Sequence, residues 1–155
     1  MPGAYCYVNG EIVSAQDATV SVFDHGFVTG DGAFETVAIY DDRAFELDRH
    51  LRRLRRTLGG LGISDVKVEG LDNAARELIE RNAVGTGKLR ITYTAGNAGL
   101  GSGRVGGEPT VVMAIEPTTF TPRSVTKVAV APWPRSERGA LTGLKTTSYA
   151  ENVMG

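Results

Sequence analysis

The chain has 155 residues, 41% hydrophobic and 23% charged, with a formal net charge of -1. That length buries a sizeable core without disulfide or metal staples, and the composition excludes wholesale disorder. The balanced charge argues against a dedicated nucleic-acid binder, which carries a basic excess. Cys6 is the single cysteine, so no internal disulfide can form, and no Cys/His cluster offers a metal site. Glycine, at 20 residues, has nearly twice its usual share. The first residues lack the basic and apolar regions of a signal peptide, and no apolar run nears the ~20 residues needed to span a bilayer. With one unpaired cysteine, a reducing cytoplasm is the expected location.

Residues Tyr5 to Val8, the Asn9-Gly10 step and Glu11 to Val13 predict a β-hairpin, because Asn-Gly accepts the positive φ angles of a two-residue turn. Residues 21–32, SVFDHGFVTGDG, predict an irregular surface loop. A second strand pair follows, Ala33 to Tyr40 and Arg43 to Leu47, turning at Asp41-Asp42. From Leu47 the period changes: Leu47, Leu51, Leu54, Leu58 and Leu61 form the stripe of an amphipathic helix, ended by Gly59, Gly60 and Gly62. A second helix is predicted over Leu71 to Asn82, with Leu71, Ala75, Leu78 and Ile79 inward. Strands are predicted at Lys88 to Thr94, Thr110 to Ile115 and Val125 to Ala131, with a glycine-dense loop carrying Arg104 between the first two. A further helix is expected from Thr147. Strands, helix, helix, strands in that order predict an α+β fold.

Three groups of residues invite chemistry. Arg49, Arg52, Arg53, Arg55 and Arg56 surround His50 on the first long helix; they read as a solvated face, with Arg53 at the edge of the leucine stripe, where it can turn inward onto an anion. Asp24 and His25 adjoin in the first glycine-rich loop, open to acid–base pairing or simply to turn formation. Lys145 lies in GALTGLKTT, which is not a phosphate loop because Leu144 separates Gly143 from the lysine. That leaves a surface lysine, or an amine that loses its proton when desolvated or set near another cation and then attacks a carbonyl.

Four collinear segments, VFDHGFVTGDGAFET (22–36), FELDRHLRRL (45–54), LRITYTAG (89–96) and LTGLKTTSYAENV (141–153), resemble the fold-type IV pyridoxal phosphate enzymes. This is the class IV aminotransferase family, which includes branched-chain and D-amino-acid aminotransferases and 4-amino-4-deoxychorismate lyase. The resemblance implies pyridoxal 5'-phosphate as cofactor, with Lys145 as its Schiff-base lysine and later proton carrier. It implies that Arg53, in the family's H-x-x-R pattern, holds the cofactor phosphate, and that Tyr149 approaches the cofactor ring. Phe34, followed by Glu35, matches the aromatic-Glu pair whose aromatic lines the substrate pocket; Arg90 and Arg104 are further candidates near the substrate.

Amino acid and 2-oxo acid substrates and a homodimer are implied by the same resemblance; the balanced charge and the lack of a long apolar run argue against nucleic-acid and membrane partners. Family chains continue for nearly as much sequence again. The expectation is therefore a fragment: a small two-layer α/β domain over 1–116, a linker over 117–124, and an incomplete cofactor domain over 125–155. Aminotransfer on amino acids of branched-chain type or related is the leading reading. The lyase that releases 4-aminobenzoate, and a non-catalytic truncated domain, are the alternatives.

Overall fold

The computed structural model describes residues 3–63, 68–104, 107–120, 125, 127–134 and 136–154. The hairpin expected at the start is present as β1 (Tyr5–Val8) and β2 (Glu11–Ser14). Asn9 and Gly10 take φ of 48° and 107° at its turn. Asn9 also exchanges bonds with Val111, its N–H donating to the carbonyl and its Oδ1 accepting from the Val111 N–H. The loop at 21–32 is more ordered than expected. Asp24 accepts a bond from the Gly26 N–H and caps a single turn of helix, α1 (His25–Val28).

Strand β3 (Gly32–Tyr40) turns at Asp41 and Asp42, both at positive φ, into β4 (Arg43–Ala44). Here β4 is shorter than the expected Arg43 to Leu47, because Glu46 enters the left-handed region at φ 53° and Leu47 already starts a helix. Helices α2 (Leu47–Gly60) and α3 (Leu71–Asn82) follow the leucine periods of the sequence. The last two long strands are β5 (Gly87–Thr94) and β6 (Thr110–Pro117). All six strands form one antiparallel sheet in the order β2-β1-β6-β5-β3-β4.

Alternation along the strands divides the sheet into two faces. Val37 and Ile39, Leu89 and Ile91, and Met113 and Ile115 meet the leucines of α2 and the inward side of α3 in one core. The other face carries Phe34 opposite Thr92 and Thr36 opposite Arg90. A mixed α+β layer of helices on one side of an antiparallel sheet is thus what the sequence order implied.

Two expectations fail in the last quarter. Residues 125 and 127–131 form no strand, and Val125, Val128 and Val130 are almost fully exposed. Their alternation is right for a strand, but no described segment offers them a ladder of hydrogen bonds. The final helix, α4 (Ala150–Met154), starts three residues later than expected, because residues 145–147 are taken up by pairing with β3.

Gly32 marks that junction. A Cβ there would lie 2.6 Å from the Tyr93 carbonyl oxygen and 3.2 Å from Thr147 Oγ1, whereas one at Gly59, on the exposed side of α2, would meet nothing within 4 Å. In urea unfolding, Gly32→Ala is expected to destabilise the protein by about 1–3 kcal/mol, the usual cost of overpacking. Gly59→Ala is expected to stabilise it by about 0.5–1 kcal/mol through helix propensity.

Candidate active site

Strand β3 has a short neighbour at one end only. Its β4 side is covered at Ile39 and Tyr40, which leaves Gly32–Phe34 with an open edge. The segment around Lys145 fills it. The Phe34 N–H donates to the Lys145 carbonyl (3.2 Å), Ala33 bridges Thr146, and the Thr147 N–H donates to the Gly32 carbonyl (2.8 Å). Hydroxyls of Thr147 and Ser148 both donate to the Gly30 carbonyl, at 2.7 and 3.0 Å. On the helix side, the Lys145 N–H reaches Thr57 Oγ1 of α2 at 3.4 Å. Main-chain bonds therefore fix the lysine against both β3 and α2.

Its amine lies over an aromatic platform. Lys145 Nζ is 3.8 Å from the centre of the Phe34 ring and 5.4 Å from that of Tyr149, and the two rings meet edge to face at 5.1 Å. The Arg90 guanidinium also stacks on Phe34, with Cζ 3.9 Å from the ring centre. Four residues named from the sequence, Lys145, Phe34, Tyr149 and Arg90, thus share one cluster. Burial lowers the Lys145 pKa below its ordinary value; the Arg53 and Arg90 charges lower it further, against the opposing pull of Glu35. The result is an amine with more of its neutral, nucleophilic form than a solvated lysine has.

The next residue of β3 points the other way. Glu35 is fully buried on the helix-facing side, among Ala33, Val37 and Ile39. Its Oε1 accepts from Arg53 Nε at 2.6 Å; its Oε2 accepts from Arg53 Nη2 at 2.5 Å and from His50 Nδ1 at 2.8 Å. Burial alone would raise the Glu35 pKa, but the hydrogen bonds and charges of Arg53 and His50 outweigh it and hold the carboxyl below its usual range. The buried charge is thereby paired on both oxygens. Arg53 was expected at the edge of the leucine stripe, and it is there, with its side chain 45% exposed.

Other sequence candidates lie elsewhere. Arg104 was expected near the substrate, but its guanidinium grips Asp31 with two bonds of 2.5 Å and the Leu61 carbonyl at 2.7 Å. It lines a separate open cavity of about 930 Å³ with Tyr7, Glu69, Tyr93 and Glu108, none of them in the lysine cluster. Asp24 and His25 hold the loop together instead of forming an acid–base pair. Thr94 Oγ1 donates to Asp24 Oδ2, and His25 Nε2 bonds the Gly99 carbonyl, both side chains being buried. Around α2, Arg49, Arg52, Arg55 and Arg56 are exposed, as a solvated face requires.

The roles of His50, Thr57 and Thr146 were not drawn from the sequence. Nor was that of Glu35, beyond its place in the aromatic-Glu pair. The signal for Glu35 was present: a carboxylate at an inward position of an otherwise apolar alternation. Among the described residues no group of side chains could hold a metal ion, and no helix is long and apolar enough to cross a membrane.

Comparison with known proteins shows the family. The model of the family described as amino-transferase class IV matches residues 32–155. The chain belongs to that family. A D-alanine aminotransferase from Staphylococcus aureus is 36% identical over 93 residues, covering 59% of this chain and 33% of that protein. An aminodeoxychorismate lyase from Bacillus subtilis is 38% identical over 93 residues, covering 58% and 32%. Among solved structures, a branched-chain aminotransferase from Thermoproteus uzoniensis with norvaline superposes at a TM-score of 0.85 with 22% identity, covering 98% of this chain and 54% of that one. The chain therefore spans about a third of these curated relatives and about half of the solved aminotransferase. The class IV family match covers all the residues of the lysine cluster.

The charges around the amine make a direct prediction for the cofactor-free protein. Reductive methylation attacks only neutral amines, so its pH profile at Lys145 reports that group's titration. Arg90→Gln removes a cation and is expected to move the midpoint up; Glu35→Gln removes the opposing anion and is expected to move it down. Peptide mapping of the methylated lysine against pH checks both directions.

Proposed function

We propose that this chain is the lysine-bearing part of a pyridoxal-phosphate-dependent aminotransferase acting on amino acids, of branched-chain type or related, with 2-oxo acids as partner substrates. The observation that carries the reading is the Lys145 amine: half-buried, lowered in pKa, and held 3.8 Å above the Phe34 ring beside Arg90. That donor set fits the cofactor. A depressed amine suits an aldehyde, a guanidinium with an exposed edge suits a phosphate, and the ring of Tyr149 suits the side of a pyridine. Lys145 would hold the aldehyde carbon, Arg53 the phosphate, and Tyr149 the ring.

When bound, pyridoxal phosphate supplies an electron sink for negative charge developing at a substrate Cα. Lys145 Nζ would take the proton that leaves the substrate Cα and hold it for return. Burial and the two guanidinium charges, by lowering its pKa, favour the neutral, proton-accepting form of the amine. Hydrogen bonds of the 145–147 backbone to Phe34, Gly32 and the Thr57 hydroxyl hold the base of the lysine in place while the amine works. Phe34 excludes water from beneath the amine, and Arg90 brings a fixed positive charge for a substrate carboxylate.

On this reading the whole protein divides into 1–116 as the small domain, 117–124 as linker and 125–155 as the start of the cofactor domain. Exposed apolar side chains at Val22, Phe23, Phe27 and Leu100 support a homodimer, and a cytoplasmic location fits the single Cys6. The Bacillus subtilis relative favours a second reading, the lyase, which would use the same lysine. Turnover of 4-amino-4-deoxychorismate against turnover of amino acids separates the two.

The test is spectroscopic. Protein mixed with pyridoxal phosphate is expected to develop the visible band of a lysine-bound cofactor, and Lys145→Ala is expected to abolish it. In the full-length protein the same substitution is expected to lower amino-group transfer by at least ~10²-fold, the lower bound for losing a general base. An equal band in both proteins, or none in the wild type, would contradict the assignment.

A further inference from the structure

We infer that Glu35 is a positioning residue that aims Arg53 as a phosphate clamp. The inference rests on the pyridoxal phosphate reading above and adds to it a residue that touches neither cofactor nor substrate. Arg53 stands on the outer side of α2 among arginines that project into solvent, and a free side chain of that length samples many rotamers. Glu35 removes that freedom. Its carboxylate is fully buried on a central strand and grips Nε and Nη2 side-on, while His50 Nδ1 completes the coordination of Oε2.

A guanidinium is planar and carries five N–H donors, so fixing two of them fixes the direction of the rest. Two donors are spent on Glu35. Nη2 also lies 3.5 Å from His50 Nδ1, while among the described residues Nη1 has no partner, so its two N–H groups and the second on Nη2 form the outer edge. That edge presents two parallel N–H bonds, the pattern that matches two oxygens of a phosphate. Since the Arg53 side chain is 45% exposed, the edge is accessible. The buried carboxylate is already paired with Arg53 and His50, so the repulsion it offers an incoming phosphate is muted. A glutamine at 35 has one acceptor oxygen and one NH₂ group, which would face the guanidinium donor to donor. An aspartate keeps the charge but falls one methylene short of the fork.

Equilibrium dialysis with pyridoxal phosphate and with pyridoxal, which lacks the phosphate, isolates this role. Wild type is expected to prefer the phosphorylated form. Glu35→Gln is expected to cut that preference, read as the ratio of the two affinities so that any change at Lys145 common to both ligands cancels, by about tenfold, the scale of one charge-assisted hydrogen bond. Glu35→Asp is expected to lose the preference as well, although it keeps the charge. Adding Glu35→Gln to Arg53→Lys, which has no fork to aim, is expected to cost nothing further, a non-additivity that general destabilisation would not produce. Thermal melts confirm that each variant is folded. Parallel loss of both ligands, or full additivity with Arg53→Lys, would overturn the role of Glu35 and leave the cofactor reading standing. A wild type that binds neither ligand, or binds both equally, would instead overturn the cofactor reading at the phosphate and this inference with it.

Discussion

The open edge of β3 is the constraint on which the rest depends. A strand edge with unpaired N–H and C=O groups is a template for another extended segment. Here β4 covers only the Ile39–Tyr40 end, so Gly32–Phe34 is left for residues 145–147. Two main-chain hydrogen bonds, from Phe34 to Lys145 and from Thr147 to Gly32, then join parts of the chain more than a hundred residues apart in sequence. Because successive residues of a strand point to opposite faces, one pairing sets two chemistries at once. Phe34 lies beneath the lysine amine, and Glu35, one residue on, reaches through to α2 and Arg53.

The electrostatics follow from that placement. The lysine has two guanidinium neighbours and one buried carboxylate within Coulombic range. If the cations were absent, desolvation would still depress its pKa, but less; if Glu35 were absent, the cations would act unopposed. An amine poised in this way gains nucleophilicity without being fully stripped of charge, which is what reversible attachment to a carbonyl requires. The carboxylate serves both sides, moderating the amine and anchoring the arginine. Arg104, equally basic, is held by Asp31 and the Leu61 carbonyl against a different cavity.

Much of the fold was legible because local rules decided it. The leucine period from Leu47 and the inward set of α3 gave both helices, and Asn9-Gly10 and Asp41-Asp42 gave the turns. The two failures in the last quarter of the chain have one common cause: each depended on what else lay nearby. Val125 to Ala131 has the alternation of a strand, but among the described residues it has no neighbour to pair with. Residues 145–147 read as the approach to a helix, yet an edge elsewhere in the chain claimed them. In the site, residue types pointed to Lys145 as a possible amine nucleophile and to Arg53 as a possible anion ligand, and family resemblance gave each its role. Spacing along the chain could not reveal that Phe34, Arg90 and Tyr149 would converge on one amine, or that Arg104 would not. Glu35 was the readable exception, a charge set in an apolar alternation.

The most direct measurement of the central claim is borohydride reduction of the protein after incubation with an equimolar amount of pyridoxal phosphate, followed by peptide mapping in a mass spectrometer. Reduction makes the link to whichever amine carries the cofactor permanent. If β3 and its partner segment set Lys145 apart from other lysines, the phosphopyridoxyl group will be found on the peptide containing Lys145 and hardly at all on those containing Lys88 or Lys127. Labelling shared among these lysines would contradict the account.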